Sequence, residues 1–170
     1  MAERDGVAPG GADGEIRRQL LAMLKGGQAY APMEHIVDDL PAEFRGRVPE
    51  GLPYSPWQIL EHMRIAQEDI VSFSMNVDGG YKPLKWPDAY WPKQAEPPSD
   101  AAWERSVESF RSERQRFEGY LADGKNDLTA PFAWGQGQNL LREALLLADH
   151  TSHHLGEFIV VRRLLGAWKK

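Results

Sequence analysis

His150 and His154 stand four residues apart inside residues 139–166, NLLREALLLADHTSHHLGEFIVVRRLLG, a run without proline. On a helix this spacing places the two imidazoles one turn apart on one face. At about 100° per residue and with His150 as zero, His154 falls at about 40°, Glu157 at about −20°, Val161 at about 20° and Leu147 at about 60°. Both rings therefore point along an apolar stripe. A third histidine, His62, belongs to another such stripe, formed by Ile59, Met63, Ala66, Ile70 and Phe73. A single histidine on an apolar face is more commonly a core residue bonded to the backbone than a ligand. Three of the five histidines on the buried stripes of two separate helices favour a shared metal ion. An i, i+4 pair offers two nitrogens, and a facing helix supplies the third from a bundle core. Three neutral imidazoles select Zn²⁺ or Ni²⁺ first, with Fe²⁺, Co²⁺ and Mn²⁺ as further candidates, over oxygen-seeking Mg²⁺ and Ca²⁺. They also leave a coordination position for water or substrate, the arrangement of a catalytic site. Such a site lowers the pKa of a bound water to about 7, or activates a bound thiol.

Glu157 lies on the same face, three residues beyond His154. It is open to three roles: fourth ligand, catalytic general base, or orienting partner of a ligand. Its alternative is a carboxylate at the stripe's margin reaching water. His153, at about −60° on this wheel, is the rival of His154 for a ligand position but less central. Asp149 and Glu61 each precede a ligand candidate and point about 100° away from it, which suits surface ion pairs. His35 sits apart, on a short piece near the first helix.

The elements that must carry these residues are helical throughout. A first helix is expected from a cap at Asp13, with Ile16, Leu20, Met23 and Leu24 inward, to a stop at Gly26-Gly27. A short helical piece over 33–40 ends at Pro41, and 41–54 reads as a loop. Ser55, Pro56 and Gln58 then form a Ser-x-x-Gln capping box with proline at the first helical position, and Tyr54 and Ile59 are placed for a hydrophobic staple. This second long helix carries His62. Residues 76–98 contain five prolines and the aromatics Tyr81, Trp86, Tyr90 and Trp91, a long connection expected to pack over one end of the domain. Ser99 or Asp100 caps a third long helix with Trp103, Val107, Phe110, Phe117 and Leu121 inward, ending at Asp123-Gly124. The fourth is the histidine helix. No alternation persists for a strand's length. The expected fold is all-α: a four-helix bundle over 13–168, with a crossover between its second and third helices, behind a disordered tail at 1–12. The third and fourth helices are expected to be antiparallel neighbours.

Bulk properties narrow the function. The chain has 170 residues, enough for one domain with a real core. Its 20 Lys and Arg against 25 Asp and Glu leave a net charge of −5, which argues against a nucleic-acid partner. The pairs Arg17-Arg18, Arg162-Arg163 and Lys169-Lys170 read as solvated helix faces and ends. Cysteine is absent, so disulfides and thiolate metal sites are excluded, consistent with a cytoplasmic location. The amino terminus lacks the apolar core of a signal peptide, and no apolar run is long enough to span a membrane.

The motif SPWQILEH at 55–62 with IAQ at 65–67, DHTSHHLGE at 149–157 and RRLLG at 162–166 resembles the DinB-like superfamily. The resemblance extends to the Trp-Pro-rich crossover and the Pro-Pro-Ser ahead of the third helix. It implies up-down-down-up topology and a divalent metal held by one histidine of the second helix and a His-x-x-x-His pair of the fourth, here His62, His150 and His154. It further implies a homodimer acting on a small molecule. Known members include transferases that use low-molecular-weight thiols, a thiol-dependent isomerase and proteins described as hydrolases. His153 departs from the pattern, which would place an aromatic such as tyrosine there. The expectation is a metal-dependent hydrolase or thiol S-transferase, the thiol then being a second cofactor. The rival is a non-catalytic metal-binding or stress-response protein.

Overall fold

The capping signal ahead of Pro56 is realised in full. Ser55 Oγ accepts the Gln58 backbone N–H, and the Gln58 side chain accepts the Ser55 N–H in return. With proline in the first turn this launches a helix over Pro56–Ser74. The computed structural model describes residues 11–29 and 31–168. Among these, the helices are α1 (Ala12–Lys25), α2 (Met33–Val37), α3 (Pro56–Ser74), α4 (Asp100–Ala122) and α5 (Leu140–Leu164), with short 3₁₀ turns at Ala42–Phe44 and Asp88–Tyr90 and no strand. The protein is all-α. No described helix is long and apolar enough to cross a membrane.

α4 and α5 also start on side-chain caps. Ser99 Oγ accepts the Ala102 N–H at 3.1 Å, and Asn139 Oδ1 accepts the Arg142 N–H at 2.9 Å. α1 departs from expectation. It begins at Ala12 behind Gly11, and Asp13 lies inside the first turn, where it accepts from Arg17 Nε at 2.7 Å instead of capping. Residues 1–10 of the expected tail lie outside the described residues.

Packing corrects the expected neighbours. α3 packs against α4 and α5, and α1 against the same two, so α4 and α5 are not principal partners. The stretch 123–139 between them is long enough to cross the end of the domain, and the apolar faces of α1 and α3 fill the space between. The core falls into two apolar clusters. One gathers Met33, Ile36, Leu60, Trp103, Phe110 and Phe158, and the other Leu20, Val71, Phe117, Leu121, Leu140 and Leu147. Each such side chain, fully buried, contributes roughly 1.5–3 kcal/mol. Along α5 the second cluster ends at Ala148 and the first resumes at Leu155. His150, Thr151 and His154 occupy that break.

Two further expectations fail. The buried seam of α1 is Arg17, Leu20 and Leu24, whereas Ile16 and Met23 are 39% and 47% exposed. They stand one residue earlier on the helix, turned away from the seam by about 100°. Nor are Arg17 and Arg162 solvated. Arg17 is buried and donates to the carbonyls of Leu121 and Asn126, both at 2.6 Å, closing the end of α4. Arg162, 1% exposed, donates to the carbonyls of Ile36 and Ala167 and to Asp39. Each satisfies one helical carbonyl, Leu121 of α4 or Ile36 of α2, together with a carbonyl of the segment that follows a helix, Asn126 or Ala167. Lys169 and Lys170 lie outside the described residues.

Candidate metal centre

His62 projects from the second turn of α3, and His150 and His154 project from the middle of α5. Packing of α3 on α5 brings the three rings together. His62 Nε2 and His150 Nε2 are 3.1 Å apart, and the ring centroids of the three pairs are 4.5–5.0 Å apart. One nitrogen from each ring lies within 4.8 Å of the others. His62 and His154 are buried, and His150 is half-buried.

The other ring nitrogens are engaged. His62 Nδ1 lies 3.0 Å from the backbone carbonyl of Tyr90, and a carbonyl can only accept, so Nδ1 carries the proton. His154 Nδ1 lies 2.9 Å from Glu157 Oε2. The bond from His154, ahead of the opposing cost of burial, holds the Glu157 carboxyl below its ordinary pKa, so it too accepts. In both rings the neutral form leaves its lone pair on Nε2. Burial lowers the pKa of His62, and that of His150 falls to about 3 through burial first and the neighbouring imidazoles second. Both therefore stay in the neutral form that ligates.

The residues fit a metal ion. At a metal–nitrogen distance of about 2.0–2.1 Å and a tetrahedral angle, two nitrogens on one ion stand about 3.3 Å apart. The 3.1 Å between His62 and His150 is close to that. An all-imidazole donor set suits Zn²⁺, Ni²⁺, Co²⁺ or Fe²⁺.

The crossover completes the surroundings. Trp91 stacks on His62 with centroids 3.8 Å apart and planes 5° from parallel, and Tyr54 stacks on the far face of Trp91 at 3.9 Å. Tyr54 thus packs on Trp91 as well as on the apolar cluster that contains Ile59. Tyr81 and Tyr90 bond to Asp69 through their hydroxyls. Of the four crossover aromatics only Trp86, 68% exposed, stays outside, its ring against Tyr90.

The remaining candidates fall where their wheel positions allow. His153 is exposed and touches His154 edge-on at 4.7 Å; with His154 and Glu157 it forms a second, outer group with donor atoms within 4.8 Å. Glu61 pairs with Arg64 at 2.8 Å and accepts from Ser106. Asp149 is exposed and has no ion pair among the described residues. His35 contributes its backbone carbonyl to Arg162, away from the centre. The Tyr90 carbonyl, Trp91 and Asp69 were not legible as parts of the site. The one local hint was the concentration of aromatics in a proline-rich stretch.

A helical domain here gathers three imidazoles from two helices, in a break between its apolar clusters, into a group that could hold a metal ion. Residues 27–158 match the family model of the DinB superfamily, and the chain belongs to that family. No curated protein and no solved structure gives a significant match.

Proposed function

We propose that this protein is a metal-dependent enzyme of the DinB-like type, with a mononuclear centre held by His62, His150 and His154. The observation that carries the reading is the convergence of three Nε2-directed imidazoles, two of them fixed in tautomer by Tyr90 O and Glu157. A divalent transition ion there would supply Lewis acidity to a small-molecule substrate, as a hydrolase or as a low-molecular-weight-thiol S-transferase. The chain's own groups do the rest. His62 and His150 present lone pairs at neutral pH, and Trp91 with Tyr54 excludes water from the His62 side. Glu157 is placed to orient His154, the one of its three open roles that its hydrogen bond supports.

The up-down-down-up order of the family, a homodimer and a cytoplasmic location belong to the same proposal. The stacking of Trp91 on His62 also favours a second reading, a closed, non-catalytic metal-binding protein. Exchangeable solvent on the bound ion separates the two.

Metal analysis of the untagged protein tests the centre. One ion per chain is expected in the wild type, with stoichiometry falling well below one in His62→Ala and His154→Ala. Unchanged content in both variants refutes the ligand set. Activity is tested by screening the metal-loaded protein with electrophiles and several small thiols, and with esters and amides alongside. Turnover that His154→Ala abolishes supports the enzyme.

A further inference from the structure

The crossover touches the metal centre through two consecutive residues, Tyr90 by its carbonyl and Trp91 by its ring. What holds those two residues in place is on α3 itself. Asp69 lies seven residues beyond His62, two turns along the same face. Its carboxylate takes one phenol on each oxygen: Tyr81 O–H donates to Oδ1 at 3.0 Å and Tyr90 O–H donates to Oδ2 at 2.7 Å. One residue, Tyr90, thus bonds Asp69 with its side chain and His62 with its backbone.

On the amino-terminal side of Tyr90 the chain carries little that could anchor it. Residues 82–89 are exposed throughout. They arch over α3 and leave a cavity of about 440 Å³ lined by Ile65, Asp69, Ser72, Tyr81 and Leu84. On the far side of Trp91 the chain is tied to the start of α3, by Gln58 to the Pro92 carbonyl at 3.1 Å and by Ser55 to the Ala95 carbonyl at 2.5 Å. Between the arch and those ties, the stretch is held by the Trp91 ring, stacked between His62 and Tyr54, and by the carboxylate of Asp69, which is the contact made by Tyr90's own side chain.

We propose that Asp69 is a positioning residue of the metal centre, acting through the Tyr90 hydroxyl to set the Tyr90 carbonyl against His62 Nδ1. The carbonyl holds the His62 proton on Nδ1 and so keeps Nε2 free to ligate. The two-phenol grip on one carboxylate also explains why the crossover can be aperiodic and yet deliver an atom to hydrogen-bonding distance. Burial first, and the bond to Asp69 second, push the Tyr81 hydroxyl up to about 12 and that of Tyr90 further, so both remain donors at physiological pH. The inference rests on the three-histidine reading of the centre and adds the residue that orients one of its ligands.

The test is metal affinity and ligand geometry in the full chain, with Co²⁺ as the spectroscopic probe and Zn²⁺ competed against a chelator. Tyr90→Phe and Asp69→Asn are expected to weaken Zn²⁺ by about 10-fold or more, the range for removing a partner of a ligating imidazole, and to shift the visible bands of bound Co²⁺. Asp69→Glu, which keeps the carboxylate, is expected to recover part of the affinity. Tyr81→Phe, which leaves the Tyr90 bond in place, is expected to have the smaller effect. A merely structural role would lower the melting temperature of the metal-free protein and leave Co²⁺ bands and affinity unchanged. Affinity within twofold of wild type in both Tyr90→Phe and Asp69→Asn overturns the inference while the three-histidine centre stands. So does a larger effect from Tyr81→Phe than from Tyr90→Phe. A wild-type chain that binds neither ion overturns both.

Discussion

Replacing Glu157 by glutamine changes one atom and tests how His154 is prepared for a metal. Glu157 Oε2 accepts from His154 Nδ1 at 2.9 Å, across a pair whose side chains are 26% and 9% exposed. A carboxylate in that place can only accept, so it fixes the proton on Nδ1. The glutamine amide can either accept more weakly through its oxygen, or turn its NH₂ toward Nδ1. The second choice moves the ring proton to Nε2 and removes the lone pair that ligates. Exchanging a charge-assisted bond for a neutral one loses about 1–1.5 kcal/mol. With the cost of the tautomer change added, the expected loss in metal affinity is in the range for removing the partner of a ligating imidazole, about 10- to 100-fold, or about 1.4–2.7 kcal/mol. With Zn²⁺ at about 100 times the wild-type Kd, metal binding stabilises the wild-type fold by about 2.7 kcal/mol, and the variant by about 0.4–1.4 kcal/mol. For a domain of this size that is a metal-induced rise in Tm of about 5–11 °C in the wild type and about 1–6 °C in Glu157→Gln. Paired thermal melts with chelator and with Zn²⁺ measure it, the chelator-treated pair giving the part of the loss that belongs to the metal-free fold. An unchanged metal-induced shift, with Kd within twofold of wild type, would refute the orienting role of Glu157.

Two other expectations concern stability. Folding holds His150 at about 3, well under the 6.5 of an ordinary imidazole, and lowers His62 as well. Below pH 6.5 the unfolded chain therefore takes up protons that the metal-free fold refuses. Stability is complete above pH 6.5 and falls as pH drops toward 3, by up to about 1.4 kcal/mol per pH unit for His150. Denaturant titrations with chelator at stepped pH measure the slope; His150→Ala should flatten it, and a flat wild-type profile would contradict the reasoning. Arg162→Met should cost about 3 kcal/mol, because it strands the buried carbonyls of Ile36 and Ala167, with a fall in Tm of about 6–12 °C. A loss under about 1 kcal/mol in denaturant melts would show that water replaces the guanidinium there.

Much of this protein was determined by residues a turn or two apart. The capping box at Ser55 and Gln58, the cap at Ser99, and the shared face of His150 and His154 are local matters of hydrogen-bond reach and helical period. They were legible because the geometry that decides them spans only a few residues. His62 joined them because it, too, lies on a periodic stripe. The tertiary structure decided the rest. It buried Arg17 and Arg162 on carbonyls contributed by distant segments and turned Ile16 and Met23 outward. It also separated α4 from α5, which the chain order alone had made neighbours. Above all it decided which atoms hold the imidazoles. Tyr90 O and Trp91 reach His62, and the Tyr90 hydroxyl reaches Asp69, only because a crossover without period folds back on α3. Where such a stretch lands depends on the surface it meets, and no spacing within it records that surface.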